Sequence, residues 1–217
     1  MITADHFSEI MEYALQHTTV EDEVLSLLCR ETNRKTVYPR MLSGHLQGKL
    51  LEMFSCMIQP SRILEVGTFT GYSAICLAKG LREDGLVHTI DINDELAEMA
   101  LKYFTLAGMS QKIRLHTGDA RVIIPTLEEQ FDLVFIDGNK EQYLQYYEEA
   151  MKKLKTGGFI LADNVLWNGK VLPRYKGSDK ETSGIRNFNH FVSGDSRVNK
   201  FLLPFRDGLF ILRKISD

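Results

Sequence analysis

Five short β-rich runs, alternating with helical segments and each closing on a carboxylate, constrain this chain more than any other feature. RILEV ends at Glu65 and its neighbour, LVHTIDI at Asp91, IRLHTGD at Asp119, FDLVFID at Asp137 and FILAD at Asp163. Apolar and β-branched runs of this length, separated by amphipathic stretches, are the pattern of parallel strands joined by crossover helices. The spacing predicts one helix from Gly71, another from Asp94 and a third over residues 141–154, rich in Tyr143, Tyr146 and Tyr147. A turn at 155–158 follows, where Gly157 and Gly158 let the chain leave that helix. At the far end KFLLPF and GLFILRK flank Arg206 and Asp207, which reads as a hairpin.

Before the first strand, apolar residues recur every three or four positions over 4–16, 21–33 and 42–57, predicting three extra N-terminal helices. The expected fold is therefore α/β: a Rossmann-like, doubly wound, mostly parallel seven-stranded sheet with a C-terminal antiparallel hairpin. With 217 residues and 44% hydrophobic content the chain fills one substantial core, so 1–58 is expected as a helical cap and 59–217 as the body of a single domain. Residues 169–184, rich in Gly and Lys and without periodicity, are expected to form a mobile loop or lid.

A formal net charge of -3 supplies no excess of basic residues to hold a nucleic-acid backbone. No apolar window is long enough to span a membrane, and the polar, acidic start is unlike a signal peptide, so a cytoplasmic protein is expected. Cys29, Cys56 and Cys76 are odd in number, make no CxxC pair and sit among apolar residues, which reads as three reduced core thiols.

Open parallel sheets bind ligands beyond the carboxyl ends of their strands, near the point where strand order reverses. Five carboxylates on that rim favour a cationic or polyhydroxylated ligand together with a metal, although any one of them could instead cap a helix or start a turn. In ILEVGTFTGYSA, Gly67 and Gly71 allow a sharp turn that brings backbone close to a ligand. Phe69 stands where a dinucleotide fingerprint needs its second glycine, which argues against NAD. Glu65 suits a ligand ammonium and Asp91 the hydroxyls of a ribose; with the GDA of Gly118 to Ala120 they point to S-adenosyl-L-methionine, which has an amine, a carboxylate and a ribose but no phosphate. FIDGNK and ADN bring Asp137, Asp163 and Asn164 to neighbouring strand ends, an all-oxygen set suited to Mg²⁺, Mn²⁺ or Ca²⁺ rather than zinc. The same residues could merely cap a helix and make a turn, and Lys140 on its own would read as a surface charge.

Taken in order and spacing, ILEVGTFTGYSA, FDLVFIDGNKEQY, GGFILADNVLWNGKV and LLPFRDGLFILRK resemble the catechol and caffeoyl-coenzyme A O-methyltransferases, the metal-dependent class I family, over residues 38–214. The resemblance implies a methyl-donor pocket lined by Glu65, Gly67, Ser73, Asp91, Asp119 and Ala120, with Met41 and Ser43 closing it. Phe69, Gly71 and Asp137 complete that pocket. It implies Asp137, Asp163 and Asn164 as ligands of the divalent cation, Lys140 as the catalytic residue, Trp167 as a wall of the acceptor site, and a homodimer.

A free phenol has a pKa of ~10 and is mostly neutral at pH 7, so methyl transfer to it needs help. A cation at Asp137, Asp163 and Asn164 would stabilise the anion of a catechol-like, small-molecule aromatic acceptor while Lys140 takes the proton. Two other readings stand beside this one. A hydroxyuridine in tRNA offers similar chemistry, with Arg30, Arg34, Lys35, Arg40 and the stretch 170–180 as a basic mouth or simply a solvated surface. A non-catalytic nucleotide-binding module would have no use for Lys140 beside a complete ligand set.

Overall fold

The computed structural model describes residues 4–177 and 179–217; Ser178, inside the segment expected to be a loop, lies outside them. Three helices, α1 (Ala4–Gln16), α2 (Glu23–Lys35) and α3 (Gly44–Ile58), precede strand β1 (Arg62–Val66). From there strands and helices alternate: α4 (Tyr72–Ala78), β2 (Leu86–Asp91), α5 (Ala97–Leu106), β3 (Ile113–Thr117), α6 (Ala120–Thr126), β4 (Phe131–Ile136), α7 (Tyr143–Lys153) and β5 (Leu154–Asp163). The chain closes with α8 (Lys180–Gly194), β6 (Val198–Leu203) and β7 (Leu209–Lys214).

The strands form one seven-stranded sheet in the order β3-β2-β1-β4-β5-β7-β6. The first five are parallel, and β7 runs antiparallel between β5 and β6. Successive strand side chains point to opposite faces, and the core divides accordingly. Leu64, Val66, Val134, Ile136, Ile160 and Ala162 face α6, α7 and α8. Ile63, Val87, Leu133, Phe135 and Leu161 face α2 to α5. Thus the sheet is doubly wound, as the alternation required, and strand order reverses between β1 and β4.

The N-terminal helices are fastened to the second face by polar contacts as well as by Leu25, Leu28 and Leu51. Glu31 on α2 accepts from Lys102 and from the Tyr103 hydroxyl on α5, at 2.5 and 2.7 Å. Thr32 donates to the Thr70 hydroxyl at 3.0 Å, which sets α2 over the turn after β1.

Several expectations change. Cys76 is buried, but Cys29 is only half-buried and Cys56 is exposed, so the core-thiol reading holds for one residue of three. Helical spacing near apolar residues does not fix which side of the stripe a residue takes. The turn at 155–158 is an irregularity inside β5: Phe131 pairs with Leu154, and the register then jumps to Leu133 with Phe159. The segment expected as a loop to residue 184 gives way to α8 at Lys180, where the Asp179 carboxylate caps the helix by accepting from the Thr182 amide at 2.9 Å. That signal is present in the sequence as Asp179 followed by Ile185, Phe188 and Val192, all buried against α7. Ahead of it, Arg186 donates to the carbonyls of Lys170, Tyr175 and Gly177, clasping the irregular stretch to the body. Among the described residues no helix is long and apolar enough to cross a membrane.

Gly67 is where the fold is least forgiving. Its φ is 103°, and a Cβ there would overlap the carbonyl oxygen of Asp137. Gly67→Ala should therefore cost about 2–4 kcal/mol, from backbone strain and overlap together, read as a lower urea midpoint at unchanged denaturant slope.

Candidate active site

The site lies where β1 and β4 part at their carboxyl ends. Glu65 occupies a register position between Thr89 and Phe135, where an apolar side chain would ordinarily continue the core, and it is fully buried. Thr89 gives its hydroxyl hydrogen to Glu65 Oε2, so the Thr68 hydroxyl, 2.5 Å away, must donate to Thr89. Glu65 Oε1 is buried with no partner. Burial pushes the Glu65 carboxyl up to about 8, against the opposing effect of the nearby Ser73 and Thr89 hydroxyls, with Asp137 and Asp91 adding repulsion.

Around this acid the turn after β1 is held from β2. Asp91 Oδ2 accepts from the Phe69 amide at 2.7 Å and Oδ1 from the Asn93 amide at 2.9 Å. A carboxylate has about four acceptor positions, so each oxygen retains one for a ligand hydroxyl. Phe69 has φ 49°, the left-handed conformation that the missing glycine would have taken freely, and Gly71 has φ 93°. The turn thus keeps the shape of a glycine-rich loop with a side chain inside it. Ser73 is buried on the first turn of α4.

The second half of the site lies at the ends of β4 and β5, which pair Ile136 with Ala162 and so bring Asp137 abreast of Asp163. Lys140 is buried; its Nζ donates to Asp137 Oδ1 at 2.8 Å and to the Tyr143 hydroxyl at 2.7 Å. That hydroxyl donates in turn to the Asp163 carbonyl at 2.9 Å. Lys140 is therefore not the solvated surface charge that it would be on its own. Burial first, then the charge of Asp137, pushes the Asp163 carboxyl above the usual carboxylate range. Asn164 follows with φ 58°, a left-handed residue that turns the chain sharply at the strand end.

The remaining expected residues scatter more. Ser43 is buried just before α3, while Met41 is 58% exposed in the short turn Pro39–Met41. Asp119 caps α6 through the Arg121 amide and is ion-paired to the Arg121 guanidinium at 2.6 Å, which holds its carboxyl below the ordinary value. Ala120 is buried in the core beneath it. Trp167 has φ 47° and packs against the first core face, with Lys170 Nζ 5.7 Å from its ring centre.

Four residues at the site are not singled out by the sequence reading: Thr68, Thr89 and Arg206 lie inside its motifs and runs without an assigned task, and Gln47 lies outside them. Thr89 could have been found from strand periodicity, since it lies two before Asp91 on the same face and opposite Glu65. Gln47 and Arg206, 159 positions apart, could not. Among the described residues no group of three or more His, Cys, Asp or Glu converges as a metal set. The oxygen set at this rim has two carboxylates and one amide.

Known proteins resemble the chain along nearly its whole length. Residues 15–215 match the family model described as O-methyltransferase. Caffeoyl-CoA O-methyltransferase 1 of Zea mays is 34% identical over 219 residues, spanning 95% of this chain and 85% of that protein. The enzyme of the same name from Eucalyptus globulus is 34% identical over 197 residues, spanning 86% and 80%. Among solved structures, the O-methyltransferase TomG from Streptomyces achromogenes, in complex with SAM, is 31% identical with a TM-score of 0.92, and 100% of each chain is covered. The O-methyltransferase from Bacillus cereus in complex with SAH is 27% identical with a TM-score of 0.88, covering 95% of this chain and 97% of that one. With the family matched along nearly the whole sequence and the same fold throughout, the chain belongs to the O-methyltransferase family.

Proposed function

We propose that this O-methyltransferase moves the methyl group of S-adenosylmethionine to one hydroxyl of a catechol-like small molecule, with a divalent cation held by Asp137, Asp163 and Asn164. The observation that carries the reading is Glu65 Oε1, a carboxylate oxygen sealed inside the protein with nothing to bond. A buried acceptor without a donor costs about 1–3 kcal/mol, and an ammonium group at the turn would remove that cost. S-adenosylmethionine brings such a group, and the relatives described as bound to SAM and SAH share the fold around it.

The donor's chemistry fits the rest of the turn. Gly67 and Gly71 leave backbone open to close approach, and Asp91 keeps acceptor capacity for ribose hydroxyls. The cation's fit rests on the pair Asp137 and Asp163: two carboxylates abreast on adjacent strands, one of them buried, repel each other unless positive charge lies between them. Lys140 supplies part of that charge at Asp137. An all-oxygen set of this kind suits Mg²⁺ or Mn²⁺, and when bound the ion would supply Lewis-acid stabilisation of the acceptor's oxyanion.

The chain's own residues then have separable tasks. Glu65 and Asp91 orient the donor so that its methyl faces the Asp137–Asp163 rim. Lys140, fixed by Asp137 and Tyr143, first gives one ammonium proton to solvent; the neutral amine keeps its two N–H bonds for those partners and takes the acceptor's hydroxyl proton on its lone pair. The hydroxyl oxygen forms its bond to the methyl carbon while the carbon–sulfur bond breaks, and that electron pair stays on sulfur. The relatives named caffeoyl-CoA O-methyltransferase support an acceptor with neighbouring aromatic hydroxyls. The same reading takes the protein as a cytoplasmic homodimer, a two-fold pair being the commonest assembly for an enzyme of this size.

Three outcomes test it. Only ionised Glu65 pairs with the donor's ammonium, so affinity should rise with pH toward about 8 and fall again above it as the donor amine, with a pKa near 8, loses its proton. Calorimetry with the demethylated product should show Kd tightening about tenfold or more from pH 6 to 8, and Glu65→Gln should flatten that rise.

Stripping divalent ions with a chelator should abolish transfer while leaving donor binding intact, and Mg²⁺ should restore it. Asp163→Ala should lose the ion-dependent rate; Lys140→Ala should keep ion binding yet lose about 10²–10⁴-fold in rate, with partial recovery at high pH. Full activity of both variants in chelator would sink the cation reading.

Catechols should outrun matched monophenols when labelled methyl is followed into product, because only the diol offers two oxygens at the rim. Equal rates would remove the catechol preference, and methyl transfer to undermodified tRNA alone would replace it.

A further inference from the structure

One hydrogen-bonded chain at the rim uses residues that have no task in the reading above. Gln47, buried on the first turns of α3, donates from Nε2 to Asp163 Oδ2 at 2.6 Å. Its Oε1 accepts from Arg206, and the same guanidinium nitrogen donates to the Ser43 carbonyl. Arg206 sits in the turn between β6 and β7 with φ 51°. The chain therefore ties three distant pieces together: the C-terminal hairpin, the start of α3 and the end of β5.

The chemistry of the three groups gives this chain a direction. An amide has a donor end and an acceptor end of nearly equal shape, and a carboxylate accepts from the first and repels the second. A guanidinium can only donate, so whichever end of Gln47 faces Arg206 must be the oxygen. Arg206 thereby turns the NH₂ toward Asp163. One oxygen of Asp163 is then occupied, and Oδ1 is the one left for another partner.

We propose that Gln47 and Arg206 are positioning residues for the cation site: Arg206 orients the Gln47 amide, and Gln47 holds Asp163 so that Oδ1 is presented as a ligand. This rests on the cation reading above. Groups that orient metal ligands from behind commonly contribute about 10–100-fold to metal affinity. Because Arg206 also holds the Ser43 carbonyl, it links the cation site to the segment that the sequence resemblance assigns to the donor pocket.

The test is Mn²⁺ affinity of the intact protein, measured by electron paramagnetic resonance without donor or acceptor. Gln47→Met keeps the volume and removes both hydrogen-bonding ends; it should weaken Mn²⁺ about tenfold or more. Arg206→Ala should weaken it less, since the amide can still find the productive orientation part of the time, and Arg206→Lys should recover most of the loss. The double variant, Gln47→Met with Arg206→Ala, should bind no more weakly than Gln47→Met alone, because Arg206 acts through Gln47. Near-ultraviolet circular dichroism establishes that each variant is folded. Unchanged Mn²⁺ affinity in a folded Gln47→Met protein would overturn the inference while leaving the cation reading intact, and additive losses in the double variant would overturn the route through Gln47. Wild-type protein that binds no Mn²⁺ would overturn the cation reading itself and this inference with it.

Discussion

At the carboxyl ends of β1 and β4 two turns share one wall. The Asp137 amide donates to the Val66 carbonyl, the Gly67 amide donates to Ile90, and the Gly67 α-carbon lies so close to the Asp137 carbonyl that no side chain fits between them. This contact forms at the point where strand order reverses, which is where a doubly wound sheet opens a crevice. The turn carrying Phe69 and Gly71 and the turn carrying Asp137 and Lys140 are consequently neighbours. Their chemistries can meet only because of that contact.

Charge is distributed across this wall in an informative way. Glu65 is sealed in the sheet with one oxygen bonded and one free, and burial holds its carboxyl near pH 8. Asp163 is raised for the same reason, with the charge of Asp137 added. A protein gains no stability from burying acids in this way, so packing gives no reason for them, whereas the ligand-binding proposed for this rim does. Asp119 makes the contrast: capped on α6 and paired with Arg121, its carboxyl is lowered, and its visible contacts are those of a helix cap. Similar positions after successive strands thus have different surroundings, burial for Glu65 and Asp163 and an arginine partner for Asp119.

Much of the backbone strain gathers at the same boundary, although Gln59 after α3 and Arg206 in the hairpin also have positive φ. Phe69, Asn164, Trp167 and Asn168 all have positive φ without being glycine, and all lie in the turns beyond β1 and β5. Each costs of the order of 1–3 kcal/mol, tolerated where surrounding contacts over-determine the turn. Here those contacts are visible: Asp91 holds the Phe69 amide, and Asp207 in the hairpin turn accepts from the Asn168 amide at 2.5 Å. The C-terminal hairpin is therefore part of the site's frame and not merely the edge of the sheet, a role that Arg206 extends toward α3.

The sequence by itself determined the parallel sheet, the helices on both faces, the closing hairpin and the rim on which Glu65, Asp91, Asp137 and Asp163 stand, because hydrophobic period and strand-end residues are local properties. It also carried the family, through motifs whose order and spacing are linear. What it left undecided is whatever depends on partners far apart in the chain. Which thiol is buried and how deeply Lys140 sits both follow from packing. The chain from Arg206 through Gln47 to Asp163 is the clearest case. Its hydrogen-bonded neighbours are 159 and 116 positions apart, and only the closure of the sheet puts a donor-only guanidinium, a two-ended amide and a carboxylate in line. The physical reason is that periodicity specifies which face a side chain takes, whereas a hydrogen bond across elements requires positions that only the assembled core fixes to a fraction of an ångström.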